Sequence, residues 1–441
     1  ETILQATPGV AIKALAYRET GLQAVAATVA EAGQLIVTRL TLHRPLIGPV
    51  RRGLDSLRVP MASFGLPTAV LVNEDATQLF VGTDAGLVMR WRIPSEGMPE
   101  LLEAVQAVPR GPVQAMTALL GDRSIIVGGG DGSVASWSLV RQEDHADGWR
   151  LTRIHAFPAH AAAVTAIAPS GRDKGFIIAS ADGVVRLHYM TSERTLAEWS
   201  LPASPLAMDF APKANGAALL DDQGRLHHWS IHNPHPEFSW KSLFGKVWYE
   251  GYPAPDYVWQ STGGTDDFES KFSLVPLIFG TFKGTFYAML FAVPLALFGA
   301  LYCSQFLEKR LRFPIKSTVE LMAALPSVVL GFVTGVVMAP LVQHQLVAVL
   351  LIPVVVPAVA VLGTLAARAI GPLQHLVRTH EFWALIVWIG LGVVLCGWMG
   401  PWVEAFAFGG DVEAWLLETT GLRYDQRNAL VVGWAMGFAV I

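Results

Sequence analysis

The strongest constraint in this sequence lies at residues 272–332, where two long apolar runs flank a short basic connection. The first run, residues 284–303, holds twenty residues without a charge. About 20 apolar residues cross a bilayer as a helix. A chain with this stretch therefore enters a membrane, and what precedes it must be accounted for separately. Charge divides at the same place. Residues 1–271 carry 23 Lys/Arg and 28 Asp/Glu, whereas residues 272–441 carry 9 and 8. The later part is as poor in charge as bilayer segments have to be.

The basic connection orients the chain. Lys309, Arg310, Arg312 and Lys316 stand against Glu308 in residues 304–316. Cytoplasmic loops carry the excess of Lys and Arg. This loop is expected inside, and the upstream domain outside, periplasmic in a Gram-negative cell. A second span is expected over 318–342, interrupted by Glu320 and Pro326, and a third over 346–366, followed by Arg368 and Arg378 on the inside. A fourth covers 382–403, and an outward acidic loop then carries Glu404, Asp411, Glu413, Glu418 and Asp425. Within it, residues 412–419 suit a short amphipathic helix. A fifth span begins near Asn428.

Residues 1–240 repeat one unit: an acidic residue, a glycine, a β-rich run and an aromatic end. It appears at Asp84–Gly86–Trp91, Asp131–Gly132–Trp137, Asp182–Gly183–His188 and Asp222–Gly224–Trp229, with a weaker copy at Glu31–Gly33. The glycine-to-aromatic offset is five in the four clear copies, and successive glycines from Gly33 to Gly224 are 53, 46, 51 and 41 residues apart. Further β runs precede each copy. Three or four short strands per 40–50 residues predict an all-β, WD40-like propeller. Each Asp/Gly pair is read as a tight hairpin, and each terminal Trp or His as packing between blades. Five hairpins are visible. Six or seven blades are expected in the full protein, closed by strands upstream of Glu1.

Residues 241–271 form a connector, aromatic and then acidic. Trp248, Tyr249, Tyr252, Tyr257 and Trp259 suit either a membrane–water interface or packing beneath the propeller. The fold class is thus multidomain: an incomplete propeller over 1–240, this connector, and an all-α polytopic membrane domain over 272–441.

Several function classes find no support. Gly128–Gly129–Gly130 lacks the Lys-Ser/Thr of a phosphate loop and leads into a strand. His227, His228, His232 and His235 match no zinc spacing. Cys303 and Cys396 make neither a disulfide framework nor a CxxC site. No basic stripe suggests nucleic acid. No catalytic constellation is supported, so neither enzyme chemistry nor a cofactor is expected.

Three motif runs carry a resemblance. Ser273-Leu-Val-Pro-Leu-Ile-Phe-Gly-Thr281, Ala292-Val-Pro-Leu-Ala296 and Glu320-Leu-Met-Ala-Ala-Leu-Pro-Ser-Val-Val-Leu-Gly331 resemble the permease subunit of the phosphate-specific ABC importer, the PstC type. Tyr424–Ile441 looks like the same family's helix leading to its coupling loop. The similarity covers roughly 272–342 and 424–441. Compact members have a short external segment where this chain has at least 240 residues, which is similar to a long variant with an inserted periplasmic propeller. Residues 346–423 are longer than the compact pattern. The coupling loop and the intramembrane charged residues of the family are expected after Ile441.

The resemblance implies a multi-pass inner-membrane permease working by alternating access. Its implied partners are a second permease subunit, a cytoplasmic ATPase dimer, a periplasmic phosphate-binding protein, phosphate and the lipid bilayer. Candidate substrate-path residues are Ser327, Thr334, Arg423, Gln426 and Arg427. Arg427 leads, because a guanidinium suits phosphate oxygens; an interfacial anchor paired with Asp425 is its competing role. Two other readings stay open: a permease for another small anion such as sulfate or molybdate, and an envelope sensor or scaffold anchored by its helices.

Overall fold

The structure is a computed structural model that describes residues 11–43, 51–323, 327–370 and 379–440, with His375 and Val377 and without Leu22, Ala62 and Ala146. It divides into two compact units, Glu1–Leu277 and Ile278–Ile441.

The first unit is a succession of antiparallel meanders. Strands β1 (Ile12–Glu19), β2 (Gln23–Ala30), β3 (Leu35–His43) and β4 (Arg51–Val59) make the first sheet. The second holds β5 (Pro67–Val72), β6 (Gln78–Thr83), β7 (Leu87–Arg92) and β8 (Glu100–Gln106). The third holds β9 (Val113–Ala118), β10 (Ser124–Gly129), β11 (Val134–Arg141) and β12 (Trp149–Phe157). The fourth holds β13 (Val164–Pro169), β14 (Gly175–Ser180), β15 (Val184–Tyr189) and β16 (Arg194–Ser200). The fifth has β17 (Pro205–Phe210), β18 (Gly216–Asp221) and β19 (Leu226–Ser230). The first strands β1, β5, β9, β13 and β17 lie side by side in that order, as blades around an axis require. Among the described residues β17 does not meet β1 in this way, so the array is open.

Middle strands such as β6 and β10 are buried on both faces, so each sheet needs a neighbour on either side. Four apolar cores fill the spaces between successive sheets. The repeated aromatic position sits in them. Trp91 packs between the first and second sheets and Trp137 between the second and third. His188 is fully buried against Phe157 and Phe176, with ring centroids 5.2 and 5.4 Å away. Trp229 stacks on Trp199 at 5.2 Å. The terminal sheets keep apolar side chains uncovered: Leu15 and Tyr17 on β1, Leu206 and Leu226 on the fifth.

All five hairpin glycines have left-handed φ angles between 73° and 82°. Each donates its N–H to the carbonyl three residues earlier, at 2.9–3.1 Å. That conformation costs any other L-residue about 1–2 kcal/mol. The acidic partner is less regular than the spacing suggested. Asp131 accepts from the Ser133 N–H at 3.0 Å. In the fourth clear copy the work falls to buried Asp221 rather than Asp222. Its carboxylate accepts from the Arg225 N–H and Nε, both at 2.8 Å, and meets His227 Nε2 at 2.9 Å. Burial opposes ionisation there, yet the bonds from His227 and Arg225 hold the carboxyl well below the usual range. His227 is thus engaged by a carboxylate, and no group of three His, Cys, Asp or Glu suited to a metal occurs among the described residues.

The connector packs within the first unit. Helix α1 (Trp240–Phe244) starts at a reciprocal Ser239–Ser242 capping box, and a short hairpin pairs β20 (Trp259–Gln260) with β21 (Lys271–Phe272). Trp248 joins the core between the third and fourth sheets, and Tyr249 is fully buried. For these two aromatics packing, and not a membrane interface, fixes the side chain.

The second unit is helical. Helix α2 (Val275–Leu301) ends in a π-helical turn, Tyr302–Phe306. Helix α3 (Lys309–Ala323) carries the basic connection, which is therefore helical and not an open loop. Its Lys, Arg and Leu content is helix-forming. Helix α4 (Ser327–Val333), a π-turn (Thr334–Met338) and α5 (Ala339–His344) take the place of one continuous second span; Pro326 lies outside the described residues. Helices α6 (Leu346–Ala369) and α7 (Glu381–Ala407) pair closely. Glycines make this possible: a Cβ on Gly400 would stand 2.9 Å from Ala348, and one on Gly392 3.0 Å from Val356 Cα. Helix α8 (Val412–Thr420) runs from an Asp411 N-cap to left-handed Gly421. Helix α9 (Ala429–Val440) lays Gly433 and Gly437 on α2 at Tyr287–Ala288 and Phe291. Among the described residues three helical stretches are long and apolar enough to cross a membrane: Val275–Phe306, Leu346–Ala369 and Glu381–Thr420.

Candidate functional site

In the helical unit, α4 with its π-turn faces α9 across a groove. One end is a 180 Å³ cavity lined by Gly331, Thr334, Gly335, Arg427, Val431 and Ala435, among others. A second, apolar cavity of 390 Å³ shares Leu330, Thr334 and Ala435 and adds Met338 and Trp434. Gly331 and Gly335 lie on the wall of the groove, where a Cβ would meet no atom within 4 Å. A π-turn widens the helix at the same level, a feature frequent at functional sites.

Two of the five expected residues, Thr334 and Arg427, come together here, although 93 positions separate them. Their roles differ. Thr334 is buried, and its hydroxyl donates to the Leu330 carbonyl at 2.7 Å. That proton is spent within the helix, so Thr334 supplies lone pairs rather than a donor. Arg427 is exposed and is, among the described residues, the sole charged group lining the cavity. Its backbone N–H bonds the Asp425 carboxylate at 2.9 Å, and no ion pair joins its guanidinium to a described residue. Asn428 caps α9 through the Val431 N–H at 3.0 Å, which fixes Arg427 just ahead of the helix. Arg423 and Gln426 lie on the preceding segment and do not line either cavity. Ser327 is the first residue of α4, and its side chain lies outside the described residues.

A guanidinium at the edge of an otherwise apolar cavity is a group that engages anions by charge-assisted bonds. Sequence reasoning missed the glycine wall at Gly331 and Gly335. Their four-residue spacing, repeated at Ala339, was the available signal.

No family model matches the chain. A stretch of 78 residues, 18% of this chain, is 31% identical to the "Probable ABC transporter permease protein YqgH" of Bacillus subtilis (strain 168). It covers 25% of that protein, so the chain spans about a quarter of the curated relative it matches. Among solved structures, the β-propeller domain of Myceliophteria thermophila Cps50 (Swd1) aligns over 50% of this chain and 84% of its own, at 13% identity and a TM-score of 0.37. A chain of the mitotic checkpoint complex aligns over 51% and 62%, at 19% identity and 0.38. The propeller character of the first unit rests on its own strand order. The permease similarity and the three apolar helices fit a membrane transporter.

Proposed function

We propose that this chain is a permease subunit of an ATP-driven phosphate importer, embedded in the inner membrane with its blades on the periplasmic side. The observation that carries the reading is the meeting of Arg427 with Gly331 and Thr334 in one cavity between α4 and α9, in a chain that matches an ABC permease over 78 residues. Arg427 is a charged residue at the edge of an apolar groove, the kind of group a substrate path uses, and its competing role is an interfacial anchor beside Asp425. Phosphate, with its tetrahedral oxygens, is an anion that a guanidinium can hold bidentately, and sulfate shares that geometry.

In this reading a binding protein delivers phosphate to the outer mouth. This subunit and a second permease subunit rock between outward- and inward-open states, driven by ATP on a separate cytoplasmic ATPase pair. The basic helix α3 lies toward the cytoplasm, in keeping with the positive-inside rule. The permease does no covalent chemistry.

Uptake of labelled phosphate and labelled sulfate, measured in cells carrying the full-length gene against a deletion strain, tests the proposal. Phosphate uptake restored by the gene is expected. Sulfate uptake without phosphate uptake shifts the reading to another anion, and restoration of neither removes it.

A further inference from the structure

We propose that the outer end of the third sheet is a docking site for an acidic peptide segment of a protein partner. A cavity of 910 Å³ opens there along β12, the end strand of its sheet. Arg141 on β11 and Arg150 and Arg153 on β12 line it. Gln106 of β8, Trp137 and the connector residue Trp248 form its other walls. Among the described residues no carboxylate lines it.

Three observations point to an acidic occupant. First, among the described residues no hydrogen bond or ion pair engages any of the three guanidinium groups, whereas Arg90, Arg92 and Arg186 nearby in the same unit all hold carboxylates. Second, Arg141, Arg150 and Arg153 line one and the same cavity although they come from two strands, so three positive charges gather where no carboxylate of the described residues stands. Third, the background is of opposite sign, since residues 1–271 hold 28 acidic against 23 basic side chains. A basic cavity on an acidic domain attracts an acidic segment while the rest of the surface turns it away.

Shape favours a peptide over a compact anion. Arg150 and Arg153 are three positions apart on the end strand, about 10 Å at the usual rise, and the odd spacing sends them to opposite faces of it. The positive charge is therefore spread around that edge rather than gathered at one convergent centre. The cavity is of the size that holds ligands much larger than a single phosphate. Trp248 adds an aromatic face from the connector, of the kind that anchors peptide side chains. This site is independent of the transport reading and shares no residue with the α4–α9 groove.

The full chain in nanodiscs is titrated with fluorescein-labelled octaglutamate at 50 and 200 mM salt, with inorganic phosphate and phosphatidylglycerol vesicles as separate arms. Saturable octaglutamate binding that weakens with salt is expected. The Arg150→Glu/Arg153→Glu pair is expected to lower its affinity at least tenfold, and Arg172→Glu to change it less than twofold. Circular dichroism confirms that the double variant is folded; if it is not, Arg150→Gln/Arg153→Gln replaces it, with a threefold or greater loss expected. The proposal is overturned by absence of saturable binding, by affinity indifferent to these substitutions, or by phosphate or vesicles engaging the three arginines in preference to the peptide.

Discussion

Lys174 and Glu250, 76 residues apart, meet at 2.6 Å with their side chains 2% and 3% exposed. Lys174 also donates to the Leu120 carbonyl at 2.6 Å. The Glu250 N–H bonds Glu269 at 2.9 Å, and Glu269 accepts from the Thr191 hydroxyl at 2.5 Å. This network ties the connector to the third and fourth sheets. Removing one partner of a buried pair leaves an uncompensated charge, at about 3–5 kcal/mol. Lys174→Ala is therefore expected to loosen the connector. Hydrogen exchange across residues 248–271 of the full chain in detergent checks it, and unchanged protection would count against the network.

The same cluster should respond to pH. Burial, together with the Glu250 carboxylate, pushes Glu269 up from 4.5 to about 7. The folded state thus holds the Glu269 proton more tightly than the unfolded state does. Its contribution to stability is complete below about pH 4.5 and is lost as pH rises through about 7. Protection of the connector should fall over that window. Glu269→Gln keeps one of the two acceptor oxygens and removes the titration, so its profile should be flatter there. A wild-type slope retained by the variant would assign the dependence to another group.

Arg90 is fully buried between the second and third sheets. It donates to Glu103 at 2.7 Å, to Asp147 at 2.7 and 3.0 Å and to the Trp149 carbonyl at 2.8 Å. Arg90→Ala strands two largely buried carboxylates and is expected to destabilise by about 3–5 kcal/mol. Arg92, by contrast, pairs with Glu100 at the surface, where such pairs contribute about 0–1 kcal/mol. Urea unfolding followed by tryptophan fluorescence should separate Arg90→Ala from Arg92→Ala clearly.

The hairpin glycines are not equivalent. A Cβ on Gly132 would collide with the His160 carbonyl, because the chain leaving β12 closes over that turn. Among the described residues a Cβ on Gly224 meets nothing, because the fifth sheet has three strands there and none lies outside β19. Gly224→Ala should cost the backbone term alone, about 1–2 kcal/mol. Gly132→Ala should cost distinctly more in the same urea experiment.

At the α4–α9 groove, Arg427→Ala should lower phosphate uptake at least tenfold, and Arg423→Ala less than twofold, since Arg423 does not line the cavity. Expression is normalised by immunoblot. Equal losses in both would point to a general role for the segment before α9.

Local chemistry carried much of this protein. The glycine spacing specified five hairpins, because a positive φ at a fixed place in each strand pair admits little else. The apolar runs at 284–303, 346–366 and 382–403 specified three long helices, and the short amphipathic helix expected over 412–419 is α8. Contacts between distant segments were illegible. Nothing local pairs Lys174 with Glu250, sends Trp248 into a core between sheets, or brings Thr334 under Arg427. Those depend on which faces are left once the strands and helices have formed. They also depend on the cost of burying a charge without its partner, which only the assembled tertiary structure resolves.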